Sequence, residues 1–303
     1  MPVTERLEAV DDATAHEARE LWDRAEAADG VGAVSEAFRL ALGAARPGVL
    51  HLLRRDDSGQ LVGYAQVASA GTDDAVAELV VDPAARRSGH GRTLLDAALA
   101  EGVRSVWAHG DLDAARALAG ASGLDRTREL FLMTRPLTAS DATDPVLPEG
   151  YSVRAFEPGR DDEDWVRLNA AAFAHHPEQG RLTVEDLHER MGQPWFDPAG
   201  FLLVEREGRV VAFHWTKVEG GSGEVYVVGV DPAEQGHGLG GRWPPSGWRT
   251  SPGRTWPRSS STSTATTPPP GARTRASASR TPPSTSSTRS RLRPDPSPHP
   301  GSR

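Results

Sequence analysis

The sequence predicts an α/β (α+β) protein of two tandem domains, each a mixed central sheet flanked by helices, with the second domain truncated by an aberrant tail. A strand, an Asp-Pro pair and a glycine-rich loop occur twice, as ELVVDPAARRSGHG at 78–91 and YVVGVDPAEQGHGLG at 226–240. Asp82 and Gly89 match Asp231 and Gly238 at one offset of 149 residues. Such a repeat indicates a duplicated unit, and 303 residues suffice for two cores.

Hydrophobic periodicity predicts the elements of the first domain, 1–135, in order. Residues 11–28 form an amphipathic pattern with Leu21 and Trp22 on the apolar side, and Ser35 is a candidate N-cap for a helix at 35–42. Asp56-Asp57-Ser58-Gly59 has a turn composition between two strands. The predicted strands are 49–54, 61–68, 75–81, 103–108 and 129–134, and the further helices are 92–101 and 113–121.

A second domain, 151–241, follows a predicted linker at 136–150 that is rich in Pro, Asp, Ser and Thr. Its predicted strands are 151–156, 201–205, 210–217 and 224–230, and its helices are 163–174 and 184–191. A glycine loop again follows the last strand, but the pattern stops at Gly241.

Composition limits the classes of function. The chain has no Cys, which excludes disulfides and a thiol nucleophile. It shows no apolar run of membrane length and no signal-peptide core. Residues 242–303 carry a net charge of about +10. Because the whole chain has a net charge of −8, residues 1–241 must carry −18. We therefore expect a soluble, cytoplasmic monomer that acts on a small amine, with no nucleic-acid or membrane partner.

The glycine loops suit a phosphate-bearing ligand. A helix N-terminus presents unpaired N–H groups, and glycine lets the backbone approach a pyrophosphate closely. The spacing does not match the dinucleotide-binding pattern, which opens near the first strand of a unit. No Gly-Lys-Ser/Thr follows, which excludes a P-loop. A tight turn without a ligand is the alternative interpretation.

The loops resemble the acetyl-CoA loop of the GCN5-related N-acetyltransferase (GNAT) family, in which the preceding strand splays from its neighbour. The resemblance implies two acetyl-CoA sites and no metal. Their residues would be Leu79, Val80, Val81, Arg87, Ser88, Gly89, His90, Gly91 and Arg92 in the first domain, and Val228, Gly229, Val230, Gln235, Gly236, His237, Gly238, Leu239, Gly240 and Gly241 in the second.

Among tandem members, residues 1–241 most resemble the mycothiol synthase family, through GAVSEA at 32–37, AFAHHPEQG at 172–180 and FHWTKVE at 213–219. That resemblance implies acetylation of the cysteinyl amine of cysteinyl-glucosaminyl-inositol, with Glu36, Glu178, Lys217 and Glu224 contacting this substrate. It also implies that the first domain binds acetyl-CoA structurally while the second does the chemistry.

Each candidate has a structural alternative. Glu224 could accept a proton from the substrate ammonium, or it could be an exposed acid at a strand end. Lys217, the only lysine, could be merely solvated, and Glu36 could favour the dipole of its helix.

Three histidines and an aspartate are further candidates. His175 and His176 lack a further ligand at zinc spacing, so we predict no metal site. His109 and Asp111 are the nearest approach to a catalytic pair in the first domain, and we expect them to be surface residues.

Residues 242–303 have the composition of a disordered basic tail. A frameshift is an alternative explanation. A shifted frame reads the last base of each codon together with the first two bases of the next codon. With suitable third bases, this frame can encode V-E-L-Y-V-D-G-D-N-T at 259–268, E-G-L-G-F at 275–279 and A-V-D-V-Q-Y at 283–288. Those strings suit the strands and helix start that the domain lacks. In the resembled family the missing part supplies acetyl-CoA contacts and a tyrosine near the acetyl group, so this chain as written is expected to be inactive or misfolded.

The predicted reaction is direct acetyl transfer to a primary amine, since no nucleophile motif indicates a covalent enzyme intermediate. Two alternatives remain. One is another tandem acetyltransferase acting on an aminoglycoside or a protein N-terminus, and the other is a non-catalytic acyl-CoA-binding module.

Overall fold

The computed structural model describes residues 4–43, 45–137, 147–239, 258–264 and 286–292. The chain divides into two compact units. Unit 1 comprises Met1–Leu132 with Thr264–Arg303, and unit 2 comprises Met133–Ser263.

Unit 1 is a mixed sheet with helices on both faces. Its strands are β1 (Glu5–Leu7), β2 (Leu50–Arg55), β3 (Leu61–Ala68), β4 (Val76–Val81), β5 (Ser105–His109), β6 (Leu124–Arg135, which runs past the unit boundary) and the last described strand, β12 (Ser286–Leu292). Strands β1 to β4 pair antiparallel in order, β5 joins β4 in parallel, and β12 pairs antiparallel with both β5 and β6. The helices are α1 (Asp12–Asp29), α2 (Glu36–Leu40), α3 (His90–Ala100) and α4 (Asp113–Ala121).

Two apolar clusters cover the two faces of this sheet. Trp22 of α1 packs with Leu53 and Tyr64 on one face, and Leu94 of α3 packs with Leu52 on the other. Because both faces are covered, β2 and β3 are buried almost throughout rather than on alternate residues.

Unit 2 repeats the strand arrangement. Its strands are β7 (Tyr151–Ala155), β8 (Phe201–Arg206), β9 (Arg209–Glu219), β10 (Ser222–Val230) and β11 (Arg258–Thr264, whose last residue belongs to unit 1). Strands β7 to β10 pair antiparallel in order and β11 joins β10 in parallel. The helices are α5 (Asp162–Ala172), α6 (Pro177–Gly180) and α7 (Val184–Met191).

An aromatic cluster forms the main core of unit 2. Trp165 of α5 is fully buried and meets the rings of Phe201, Phe213 and Trp215 edge-on at 5.6–5.8 Å between centroids. Phe201 and Trp215 stack at 4.3 Å. Truncating a buried Trp of this kind costs about 3–5 kcal/mol, so this cluster is what holds β8 and β9 under α5.

The predicted fold class, a mixed sheet flanked by helices, is confirmed. The structure differs from the sequence-based elements in detail: α3 begins at His90 rather than residue 92, and β6 begins at Leu124 rather than residue 129. Strands β11 and β12 lie within 242–303, a range that we expected to be disordered, because their backbones pair with β10 and with β5 and β6. The rest of that range, and 138–146 of the predicted linker, lie outside the described residues.

Candidate functional site

The two glycine loops share one backbone conformation. The carboxylates of Asp82 and Asp231 each accept the N–H two residues on, at 2.9 Å, and each begins a short 3₁₀ turn. After the turn, φ is +65° at Arg87 and +86° at Gly89 in the first loop. It is +86° and +79° at the matching positions Gly236 and Gly238. The repeat in sequence is thus a repeat in structure, and Arg87 occupies a left-handed conformation that favours glycine.

Both loops follow a strand that separates from its parallel neighbour. The pairing of β4 with β5 ends at Ala77 and Val106, although β4 continues to Val81. The pairing of β10 with β11 ends at Val225 and residue 261, although β10 continues to Val230. In each unit the separated strand leaves backbone edge groups facing an opening between the two strands.

In unit 1 this opening is a cavity of about 660 Å³. Every residue predicted for the first acetyl-CoA site lines it except Ser88; the lining set is Leu79, Val80, Val81, Arg87, Gly89, His90, Gly91 and Arg92. Helix α3 begins here with Gly89 at its N-cap and without a side-chain cap, so its first N–H groups can receive a pyrophosphate. The sequence analysis missed the opposite wall, which β5 and α4 supply with Trp107, His109 and Leu118.

Arginine pairs fix the first loop to α1. Arg86 donates two hydrogen bonds of 2.7 Å to the carboxylate of Asp29, and this contact raises the pKa of the guanidinium. Arg24 donates at 2.8 Å to Asp82, whose side chain is 7% exposed. The loop is therefore held before any ligand binds, at the end of α1.

In unit 2 a second cavity of about 550 Å³ lies against the second loop. Its lining includes the predicted residues Val228, Gly229, Val230, Gln235, Gly236, Gly238 and Leu239, together with Phe173 and Glu234. His237 is not part of the lining, and Gly240 and Gly241 lie outside the described residues.

A charged pair stands at the start of β10. Lys217 of β9 is the Cα partner of Glu224 of β10. The ammonium Nζ of Lys217 lies 3.1 Å from Oε2 of Glu219 and 4.9 Å from the ring centroid of Trp195. A carboxylate and an ammonium on adjacent strands, beside a separated strand, can accept a proton from an amine and bind an electron-rich group respectively.

The register of β10 contains an extra residue at Tyr226. The pairing with β9 shifts between Val225 and Val227, whereas β4 pairs with β3 without a shift. Such a bulge bends a strand and re-aims its side chains. The sequence analysis missed it, because one extra residue becomes visible only once the partner strand is known.

The two units differ at the charged pair. The backbone N–H of Asp82 donates to the backbone oxygen of Val62, and that of Asp231 donates to the backbone oxygen of Val211, so the two hairpins have the same register at the loop end. At the position of Lys217 unit 1 has Ala68, and the partner of Ala68 is Val76. Unit 1 therefore has two apolar side chains where unit 2 has an ammonium and a carboxylate.

The other predicted substrate residues are placed as follows. Glu36 lies in the first turn of α2 in unit 1. Its neighbour Ser35 makes no side-chain cap and instead donates its N–H at 2.7 Å to the buried carboxylate of Glu78. Glu178 belongs to the short helix α6, and its side chain lies outside the described part of the chain. Buried Asn169 holds α6 through a 2.7 Å bond to the backbone oxygen of Gln179.

His109 is not the surface residue that we expected. Its side chain is 18% exposed, lines the first cavity, and places Nε2 3.1 Å from Oε2 of Glu78. Asp111 also lines the cavity and forms ion pairs with Arg116 and Arg126. Neither contact was visible in the sequence, because Glu78 and Arg126 come from other strands.

Across the described ranges, no three His, Asp or Glu side chains cluster as a metal ion would require. No helix in the same ranges has the length and apolar character needed to cross a membrane.

Comparison with known proteins identifies the fold. Residues 47–120 match the acetyltransferase (GNAT) domain family. A GCN5-related N-acetyltransferase from Sphaerobacter thermophilus superimposes with a TM-score of 0.64 at 20% identity, covering 95% of both chains. A tandem GNAT protein from the clavulanic acid biosynthesis pathway gives 0.62 at 17% identity, covering 98% of this chain and all of that one.

Sequence relatives identify the group within that fold. The mycothiol acetyltransferase of Streptomyces coelicolor is 55% identical over 228 residues, which is 73% of each chain. That of Streptomyces bingchenggensis is 50% identical over 264 residues, covering 83% of this chain and 86% of its own. The predicted resemblance is confirmed: the chain belongs to the mycothiol acetyltransferase family, acyltransferase enzymes with an N-acetyltransferase role in mycothiol biosynthesis.

Proposed function

We propose that this protein transfers the acetyl group of acetyl-CoA to the cysteinyl amine of cysteinyl-glucosaminyl-inositol, giving mycothiol. The observation that carries the proposal is the Lys217–Glu224 pair on β9 and β10, just before the part of β10 that separates from β11. Family membership supports the choice of reaction.

The loops and separated strands fit an acyl-CoA in both units. In unit 1, the N-terminus of α3 would receive the pyrophosphate, and the open edge of Leu79–Val81 would bond the amide-containing arm. In unit 2, Val228–Val230 and the loop around Gly236 and Gly238 would act likewise. Bound acetyl-CoA supplies a thioester, whose carbonyl carbon is open to attack by an amine.

In this proposal Glu224 accepts the proton that the ammonium of the substrate loses, directly or through one water. The amine nitrogen then bonds to the carbonyl carbon, the carbon–sulfur bond breaks, and the sulfur leaves with the electron pair. The second proton that the nitrogen loses goes to the departing sulfur, which gives the CoA thiol and the amide. Lys217 binds an electron-rich group of the substrate and orients its amine toward Glu224. Glu36 and Glu178 are proposed to complete substrate binding.

We also propose that the chemistry belongs to unit 2 alone and that unit 1 holds acetyl-CoA. Ala68 and Val76 support this division, because they offer neither a proton acceptor nor a cation at the position of Lys217 and Glu224.

The proposal also includes a change of reading frame that affects residues 242–303. Strands β11 (Arg258–Thr264) and β12 (Ser286–Leu292) overlap the shifted strings V-E-L-Y-V-D-G-D-N-T and A-V-D-V-Q-Y. This overlap supports a frame change near codons 238–245. Sequencing the gene is the test: an uninterrupted frame without an indel relative to close relatives would remove this part of the proposal.

A substrate panel tests the proposed reaction. Cysteinyl-glucosaminyl-inositol, an aminoglycoside and a peptide N-terminus are each incubated with acetyl-CoA and the protein, as written and with the frame restored. We expect acetylated cysteinyl product from the restored chain and little from the chain as written. Turnover of only another amine by the restored chain would contradict the substrate assignment. One acetyl-CoA site without turnover would indicate a binding module.

A further inference from the structure

Trp195 lies in the turn after α7 and reaches back to the charged pair. The residue is 9% exposed, and its ring packs at 4.8 Å from Tyr226 and 5.8 Å from Trp215, measured between centroids. Tyr226 is the extra residue of the β10 bulge. The turn is thus packed against the part of β10 that distinguishes unit 2 from unit 1.

The ammonium of Lys217 lies over the face of the Trp195 indole ring. Nζ lies 4.9 Å from the ring centroid, and the lysine side chain is only 15% exposed. A cation over an indole face gains about 0.5–1 kcal/mol at exposed sites and about 2 kcal/mol or more when desolvated. The contact favours the charged lysine and limits the rotamers of a side chain that is otherwise among the most mobile.

A second set of contacts holds α7, the helix that precedes this turn. Arg190, in the last turn of α7, donates from Nε to the hydroxyl of Tyr226 at 3.1 Å and from Nη1 to the backbone oxygen of Asp186 at 2.7 Å. Helix α7 is itself fixed at its start by a capping box between Thr183 and Asp186. The turn that carries Trp195 therefore follows a helix that is held at both ends.

We propose that Trp195 is a positioning residue that sets specificity for the amine substrate by holding the Lys217 ammonium toward it. The inference rests on the proposed function of unit 2 and deepens it. An ammonium with three donors and a fixed direction suits a substrate with several hydroxyl oxygens near its amine. Unit 1 has Ala68 in place of this lysine.

The single lysine makes the contact measurable in the chain as it exists. Labelling with lysine carrying ¹³C at Cε and ¹⁵N at Nζ gives one side-chain signal, because Lys217 is the only lysine. We expect its Hε protons to be shifted upfield by the indole ring. Trp195→Leu is expected to move the signal to the position of free lysine, and Trp195→Phe is expected to leave part of the shift.

Phe196→Leu is the matched control. Phe196 belongs to the same turn and packs against Trp215 at 5.9 Å, so its loss perturbs the same core without removing the ring under Lys217. We expect the lysine signal to stay where it is in this variant. An equal movement in Phe196→Leu and Trp195→Leu, or none in Trp195→Leu, would overturn the contact.

Calorimetric titration of the frame-restored chain with cysteinyl-glucosaminyl-inositol tests the specificity role. Trp195→Leu is expected to weaken binding about threefold to tenfold, as the loss of a partly desolvated cation–π contact implies, and to leave acetyl-CoA binding unchanged. In the Lys217→Ala background, Trp195→Leu should cause no further loss of substrate affinity, because the two side chains act as one unit. Additive losses would overturn the positioning role. Absence of binding by the frame-restored chain without substitutions would instead contradict the proposed substrate. The lysine signal would still test the contact between Lys217 and Trp195.

Discussion

Lys217 on β9 and Glu224 on β10 are direct partners across the two strands, and the equivalent partners in unit 1 are Ala68 and Val76. One hairpin thus has a charged pair where the other, which ends in a loop of the same conformation, has an apolar pair. This difference is the physical basis for assigning different tasks to the two units.

Giving unit 2 the pair of unit 1 tests that assignment. In the double variant Lys217→Ala, Glu224→Val, binding of the cysteinyl amine substrate is expected to weaken at least tenfold, since a hydrogen bond to a charged group is worth about 1.5–3 kcal/mol. Acetyl-CoA affinity should not change, because the second loop is intact. Calorimetry with each ligand measures both, and unchanged amine affinity would contradict the assignment.

The left-handed backbone at Arg87 predicts a reciprocal effect in the two loops. A residue with a Cβ at this conformation costs about 1–2 kcal/mol, which the flexibility of glycine in the unfolded chain partly offsets. Arg87→Gly is therefore expected to be about 0.5–1 kcal/mol more stable than Arg87→Ala. Gly236→Ala should be destabilised for the same reason, since open space surrounds its Cβ position and only the backbone resists. Urea unfolding measures all three, and equal midpoints for the two Arg87 variants would contradict the strain.

The Arg86–Asp29 pair is expected to contribute more than an exposed pair does. Its two side chains are 30% and 17% exposed and joined by two bonds. Arg86→Gln introduces the residue that unit 2 has at this position, and we expect a loss of about 1–2 kcal/mol in the free energy of unfolding and weaker acetyl-CoA binding in unit 1.

The control for that variant is Arg167→Gln. Arg167 pairs with Asp164 on the surface of α5, where the side chains are 66% and 47% exposed, so the change should lie within about 0.5 kcal/mol of zero. Equal losses in the two variants would show that the Arg86 pair has no special role in holding the loop.

Much of the fold followed from local patterns. The Asp-Pro turns and glycines of both loops were visible because their signals lie within a few neighbouring residues. The bulge at Tyr226, the Arg86–Asp29 contact and the Lys217–Trp195 contact were not, since each depends on which distant elements come together. For the same reason the family resemblance, rather than periodicity, drew attention to Lys217 and Glu224, whereas nothing in the sequence indicated Trp195.

Acid stability should depend on His214 in β9. Burial lowers its pKa to about 4, from 6.5 in an unfolded chain. Above pH 7 neither state binds a proton there, so the residue has no effect. Between pH 6.5 and 4, His214 binds a proton in the unfolded state but not in the folded state. The free energy of unfolding therefore falls by up to about 3 kcal/mol over this range.

Unfolding free energies measured from pH 8 to pH 4 check this expectation. His214→Gln should flatten the decline, while His16→Gln, at an exposed position of α1, should not. Part of the decline should persist in His214→Gln, because burial also lowers the pKa of His51 in unit 1. An unchanged slope in His214→Gln would show that His214 is not the group responsible.

The role of Glu224 as the proton acceptor can be measured in the Glu224→Gln variant of the frame-restored chain. The measurement is the rate of acetyl transfer to cysteinyl-glucosaminyl-inositol, followed by mass spectrometry of the product. We expect kcat to fall about 10²–10⁴-fold, the usual contribution of a general base, with two acetyl-CoA sites still present. The control Glu163→Gln, which removes an exposed carboxylate on α5, should have no effect on kcat. A Glu224→Gln variant that keeps its rate would contradict the claim that unit 2 performs the chemistry through this carboxylate.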